Sequence, residues 1–206
     1  MRREVAYFMR RLYKKGLTTT SGGNVSLRIN EGILITPSAL DKGRIKGKQI
    51  GLIALTGENL TPQLKPSIES GMHLEIYRHR KDVNAIVHAH PMFATSFTAT
   101  SREINCGLIA EARAIIGVPA TAPYALMGTE KLARSVASVA SNECVNVVLL
   151  ENHGIVCLGK DLLTAFDRLE VFEAAARMTL ITSLIGDLKP LTRERMDEID
   201  RLMQGN

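Results

Sequence analysis

Hydrophobic positions along the chain recur at two spacings. Val5, Phe8, Met9 and Leu12 fall three and four residues apart, the stripe of an amphipathic helix, and Gly16 supplies its stop. The same reading predicts helices over 67–80, 129–140 and 162 to about 185. Asp161 is the N-cap of the last of these, and a short terminal helix follows Pro190. Between the helices lie short apolar runs bounded by turn residues, which read as strands at 25–29, 33–36, 50–55, 85–90, 118–122, 147–151 and 155–158. Asn30-Glu31-Gly32 joins the first two as a tight hairpin, and the last two also form an antiparallel pair. With no repeat and no low-complexity linker, the expectation is one α/β domain over residues 1–206, a sheet with helices packed on it.

Composition narrows the function. A chain of 206 residues, 45% hydrophobic and 23% charged, can bury a sizeable core. No stretch is long and apolar enough to span a membrane. The basic start, Met1-Arg2-Arg3, lacks the apolar core of a signal peptide. The net charge of +5 comes from Lys and Arg scattered among acids, without the basic run and aromatics of a nucleic-acid binder. A mildly basic surface suits an anionic small molecule instead. Cys106, Cys144 and Cys157 are odd in number and lack metal-ligand spacing, which fits a reducing cytoplasm rather than a disulfide framework.

The chemistry concentrates on histidine. His88 and His90 end an apolar strand and, two residues apart, point to the same face. His153 follows the apolar run 147–150 and precedes Gly154, again where a strand ends. Three imidazoles with an open fourth position make the catalytic zinc pattern; the plainer alternative is two satisfied core histidines and an unrelated loop histidine. His73 and His79 fall in a polar helical stretch and read as surface or supporting groups. Three clusters could donate hydrogen bonds to a phosphate: Ser21-Gly22-Gly23-Asn24, Thr36-Pro37-Ser38, and Pro66-Ser67 at a helix start. Glu69, in the first turn of that helix, is two residues from Ser67 and suits a general base acting on a carbon acid.

These residues sit in stretches that resemble the class II aldolase/adducin family: GGNVSLR at 22–28, ILITPSAL at 33–40, PSIES at 66–70, VNAIVHAHP at 83–91, APYALMGT at 122–129 and LLENHGIVCLG at 149–159. Together they cover most of the chain, and their combination is far more specific than any one motif. The resemblance implies a three-layer α/β/α fold with a largely antiparallel central sheet, assembled as a fourfold homotetramer with active sites near subunit boundaries. It implies Zn2+ or another divalent metal on His88, His90 and His153, with Glu69 as acid/base. It puts the substrate phosphate on Asn24, Ser38, Ala39, Ser67 and Ile68. The implied activity is zinc-dependent cleavage of a ketose 1-phosphate, of the L-fuculose 1-phosphate kind, to dihydroxyacetone phosphate and an aldehyde such as lactaldehyde.

Several positions depart from the family's pattern. Ile68 stands where the family aldolase has a serine, and Ala39 where it has a glycine. A tyrosine implicated there in protonating the departing aldehyde oxygen is replaced near Leu108. The four tyrosines, Tyr7, Tyr13, Tyr77 and Tyr124, leave none near the C-terminal end. Glu111 and Arg113 lie in the region that would face the aldehyde. Related 4-epimerases usually carry aspartate at the position of Glu69, whereas related methylthioribulose phosphate dehydratases keep three histidines and an acid and are the closer rival. Non-catalytic adducin-type heads would have eroded metal ligands.

Overall fold

The computed structural model describes residues 1–204; the last two residues of the expected 1–206 domain lie outside it. The apolar runs form seven strands: β1 (Asn24–Ile29), β2 (Gly32–Ile35), β3 (Gly51–Ile53), β4 (Ala85–Ala89), β5 (Ala120–Ala122), β6 (Val147–Leu150) and β7 (Gly154–Gly159). They make one sheet in the order β3-β2-β1-β4-β7-β6-β5. Every neighbouring pair is antiparallel except β5 with β6, so the largely antiparallel sheet is as expected. Ile29 pairs with Gly32, leaving Asn30 and Glu31 as the predicted tight turn.

Seven α-helices are formed by the described residues: α1 (Arg2–Lys14), α2 (Ser70–His79), α3 (Met92–Phe97), α4 (Ala110–Ile116), α5 (Glu130–Ala140), α6 (Leu162–Ile185) and α7 (Arg193–Gln204). Because strand side chains alternate faces, the sheet buries two separate cores. On one face Val25, Val87, Leu149 and Ile155 pack under α1, α3, α4 and α6. On the other, Ile33, Ile86, Val148 and Val156 pack under α2 and α5. That is the three-layer α/β/α arrangement. Phe166 and Phe172 of α6 are fully buried in the first core, each stabilising the fold by roughly 1.5–3 kcal/mol. Asp161 caps α6, its carboxylate accepting from Thr164 N, as its position ahead of the apolar run requires.

Two differences from the sequence reading bear on the site. α2 begins at Ser70, three residues later than expected. Ser67 forms a turn instead: its carbonyl accepts both the Ser70 N–H and the Ser70 hydroxyl, and its own hydroxyl accepts the Glu69 N–H. Glu69 is therefore the cap residue, not a member of the first turn. β4 ends at Ala89, so His90 lies just beyond it, followed by Pro91 as the cap of α3.

Alternation along β4 now places the chemistry. Ala85, Val87 and Ala89 enter the first core, while Ile86 and His88 face α2. In the antiparallel register His88 sits opposite Asn24 of β1. Asn24 and Ser26 alternate with Val25 and so share the α2 face with His88.

Candidate metal centre

His88 is fully buried and donates from Nδ1 to the Ile155 carbonyl at 2.9 Å. That bond fixes the ring and turns Nε2 toward the two other imidazoles. His90 Nε2 lies 3.2 Å from His88 Nε2, and the His153 ring centre is 4.9 Å from that of His88. One ligand atom from each of the three comes within 4.8 Å of the others. His88 of β4, His90 just beyond it and the turn histidine, predicted from spacing alone, are thus brought together.

Two glycines leave room for this cluster. A Cβ on Gly154 would lie 2.7 Å from the Ala89 carbonyl oxygen and collide with the His90 ring; one on Gly22 would stand 3.0 Å from His90 Nδ1. The glycine of the His-Gly pair in the β6–β7 turn therefore makes room for the imidazole cluster. Gly154→Ala is expected to keep the fold, at a cost of about 1–3 kcal/mol for the overpacking. It should displace His90 and weaken metal binding by about 10–100-fold. Titration of a divalent ion into wild type and variant, beside their melting curves, measures both; equal affinities would contradict the steric role.

Glu69 projects into the cluster from the cap of α2. Its Oε2 is 3.2 Å from His88 Nε2 and its Oε1 is 3.2 Å from His153 Nε2. Burial pushes the Glu69 carboxyl up, but the charge of His88 and hydrogen bonds from His153, His88 and Asn24 outweigh it and hold the group well below the usual carboxylate range. Burial lowers His88, yet the Glu69 charge and hydrogen bond carry its pKa above the ordinary histidine value. Burial, with the charges of His88 and His153, pushes His90 down to about 3, so it is neutral as a ligand must be.

The donor set fits a divalent ion. His153 Nδ1 is buried without a hydrogen-bond partner, and Glu69 Oε1 has only the His153 imidazole beside it, a costly arrangement for a purely structural cluster. Two imidazole nitrogens facing each other across 3.2 Å, beside a carboxylate, are also what a shared cation would organise.

The expected phosphate residues fall into two linked pairs. Asn24 Nδ2 donates to Ser67 Oγ at 3.2 Å and to Glu69 Oε2 at 2.8 Å. Ser38 Oγ accepts the Ile68 N–H at 3.2 Å. Ala39, beside Ser38, is exposed and has a φ of 55°, the left-handed region that favours the family's glycine. Ser67 Oγ accepts from both Asn24 and the Glu69 N–H, so its own proton is left to donate outward. Thr36, by contrast, is fully buried and accepts the Val25 N–H. Beneath these loops Lys42 is buried, its Nζ donating to the Pro37 carbonyl at 2.6 Å; burial pulls its pKa down to about 8, partly opposed by Glu69.

Of the two expected roles, surface or supporting, His79 takes the first, being exposed, and His73 the second, fully buried behind Asn24. Lys42, Ser26 and Tyr77 were not singled out in the sequence. The helical spacing Glu69, His73, Tyr77 and the strand spacing Asn24, Ser26 were the signals that could have found the last two. Of the aldehyde-side candidates, Arg113 is paired with Asp200 of α7 and lines a separate cavity with Arg102, Asn105 and Glu151, while Glu111 is exposed.

Residues 3–180 match the model of the Class II Aldolase and Adducin N-terminal domain family. A Methanocaldococcus jannaschii protein named L-fuculose phosphate aldolase is 36% identical over 176 residues, 85% of this chain and 93% of that protein. A Bacillus thuringiensis 5-deoxy-D-ribulose 1-phosphate aldolase is 31% identical over 206 residues, covering 99% and 95%. A Pectobacterium atrosepticum 3-oxo-tetronate 4-phosphate decarboxylase is 31% identical over 182 residues, covering 86% and 81%. The solved structure of an L-fuculose 1-phosphate aldolase superposes with a TM-score of 0.89 at 30% identity, over 98% of this chain and 95% of that one.

Proposed function

The chain belongs to the class II aldolase and adducin family and is a lyase of the aldolase kind; from that premise we propose that it cleaves a ketose 1-phosphate, L-fuculose 1-phosphate or a close analogue, into dihydroxyacetone phosphate and an aldehyde such as lactaldehyde. His88, His90 and His153 would hold Zn2+ or another divalent ion. The ion supplies a Lewis acid that stabilises negative charge on the substrate oxygens. The observation that carries the reading is the Glu69 carboxylate, 3.2 Å from two of the three imidazoles and hydrogen-bonded through Asn24 to the Ser67 pocket.

Glu69 moves the proton. Its Oε2 is engaged by Asn24, while Oε1 faces only the His153 imidazole and is the oxygen able to take a proton. In the condensation direction it removes a proton from the hydroxymethyl carbon of dihydroxyacetone phosphate. In cleavage it returns that proton after the carbon–carbon bond has broken. The Ser67 and Ser38 hydroxyls and the backbone N–H at Ala39 hold the phosphate and fix the reacting carbon near Glu69, while Asn24 and Ile68 stand behind them and orient the two hydroxyls through their own N–H groups. Ile68 N–H is already spent on Ser38 Oγ, so the loss of the family's serine there leaves Ser38 and Ser67 as the principal hydroxyl donors.

A second reading has one specific observation in its favour. Removing the carboxyl of a 3-oxo-tetronate 4-phosphate also leaves dihydroxyacetone phosphate, but the departing group is carbon dioxide, which needs no proton. The replacement, near Leu108, of the family aldolase's proton-donating tyrosine is compatible with that. The dehydratase alternative keeps all carbons in one product.

We also propose that residues 1–206 act as one domain in the cytoplasm, as a homotetramer. Exposed Leu180, Ile181, Leu184 and Ile185 at the end of α6 offer an apolar face for such assembly.

Metal-loaded protein incubated with L-fuculose 1-phosphate is expected to release dihydroxyacetone phosphate together with an aldehyde, and EDTA to stop it. Dihydroxyacetone phosphate formed only from 3-oxo-tetronate 4-phosphate, with carbon dioxide, would move the assignment to the decarboxylase. Release from neither substrate would overturn both.

A further inference from the structure

Behind the reacting carboxylate runs a row of buried polar side chains that proton transfer at Glu69 does not itself use. Asn24 Oδ1 is 2.5 Å from His73 Nε2, His73 Nδ1 is 2.6 Å from Ser26 Oγ, and Ser26 Oγ is 2.8 Å from the Tyr77 hydroxyl. None of Ser26, His73 and Tyr77 has measurable exposure, and Asn24 is 2% exposed. A purely structural core could have filled these positions with apolar side chains at less desolvation cost.

The direction of every bond in the row follows from the carboxylate. Glu69, ionised, only accepts, so the Asn24 amide nitrogen faces it and donates. Asn24 Oδ1 also only accepts, so His73 must carry its proton on Nε2. Burial, then the charge of His88, pushes the His73 pKa down to about 3, so the ring is neutral and has no second proton. Nδ1 therefore accepts the Ser26 hydroxyl proton, and Ser26, its proton spent, accepts from Tyr77. Burial holds the Tyr77 hydroxyl in its protonated form. The far end is anchored: the Arg28 guanidinium stacks on the Tyr77 ring at 4.7 Å and donates to the Tyr77 and Arg80 carbonyls, both at 2.7 Å.

We propose that His73 is a positioning residue for the proton-transfer step, acting through a one-way relay of donors from Tyr77 through Ser26, His73 and Asn24 to Glu69. Its Nε2–H holds the Asn24 amide in the one orientation that sends an N–H to Glu69 and another to Ser67. A flipped amide would set Oδ1 against the carboxylate, acceptor against acceptor at 2.8 Å, and would leave Ser67 without its donor. His73 thereby sets the orientation of the acid/base and of the phosphate pocket together. The proposal rests on Glu69 being the acid/base of the cleavage reaction.

The test uses the metal-loaded full chain. His73→Leu is expected to lower kcat by about 10–100-fold, the usual effect of losing a supporting partner, with metal content unchanged. His73→Gln, whose amide N–H can occupy the place of Nε2–H, should recover most of that loss. Equal losses in His73→Leu and His73→Gln, tracking only their melting temperatures, would reduce His73 to a packing residue and overturn the proposal. A second readout needs no turnover: 15N spectra of histidine-labelled protein should give His73 as the neutral Nε2–H tautomer. The Nδ1–H tautomer would overturn the relay, including where His73→Leu fails to fold. Failure of wild type to cleave any of the phosphates would count against the proposed function alone, because the tautomer still decides the relay.

Discussion

Glu69→Gln is expected to leave the fold, the metal and phosphate binding in place and to lower turnover by about 10²–10⁴-fold, the usual contribution of a positioned acid/base. Glutamine has the same shape, and its amide oxygen can accept from Asn24 Nδ2 where Oε2 now does, at 2.8 Å. The three histidines are untouched, as are Ser38 and Ser67. What is lost is the oxygen that can carry a proton, Oε1, which has only the His153 imidazole beside it. The measurement is kcat and KM on the phosphorylated ketose, with metal content and circular dichroism as controls. A fall in kcat at nearly constant KM is the signature of a group acting in the transition state. Turnover close to wild type would remove Glu69 from the acid/base role.

The parts of this site that were legible in the sequence are those set by local periodicity. Period-two alternation on β4 put His88 on one face, and the apolar run before His153 marked a strand end; both follow from the pleat. The α6 boundaries were legible because Asp161 caps its own helix locally. α3 was not, because its start is satisfied from a distance: Glu173 of α6 accepts the N–H groups of Phe93 and Ala94 at 2.9 and 2.7 Å. The late start of α2 depends on hydrogen bonds from the Ser67 and Ser70 hydroxyls, which compete with the helix in a way that propensity does not resolve. β5 begins at Ala120 rather than at 118, since Pro119 has no N–H for the ladder.

The relay behind Glu69 was half legible. Glu69, His73 and Tyr77 recur every four residues, which puts them on one side of α2. A polar histidine in a helix reads as exposed until its neighbour is known, and the neighbour is Asn24, 49 positions away in the chain. The pairing of Ser38 with Ile68 is equally non-local, at a separation of 30. Such contacts are products of β1 and β2 lying beside the α2 turn, which no window of sequence contains.

His90→Ala should abolish both metal binding and turnover while sparing the fold. His90 is only part-buried and belongs to neither hydrophobic core, so its loss opens space between Gly22 and Gly154 without removing core packing. Its proposed contribution is as a ligand: it is neutral, with Nε2 3.2 Å from that of His88. With it gone, two imidazoles remain, one of them carrying a raised pKa because Glu69 favours its protonated form. A metal ion must then displace that proton for fewer bonds, so affinity should fall by more than the roughly 10–100-fold that follows loss of an outer partner. Metal analysis after dialysis, beside turnover and a melting curve, tests this. Near-zero metal with an intact melting transition is the expected result. Full metal content in His90→Ala would mean that His88, His153 and Glu69 suffice to hold the ion, and that His90 is not one of its ligands.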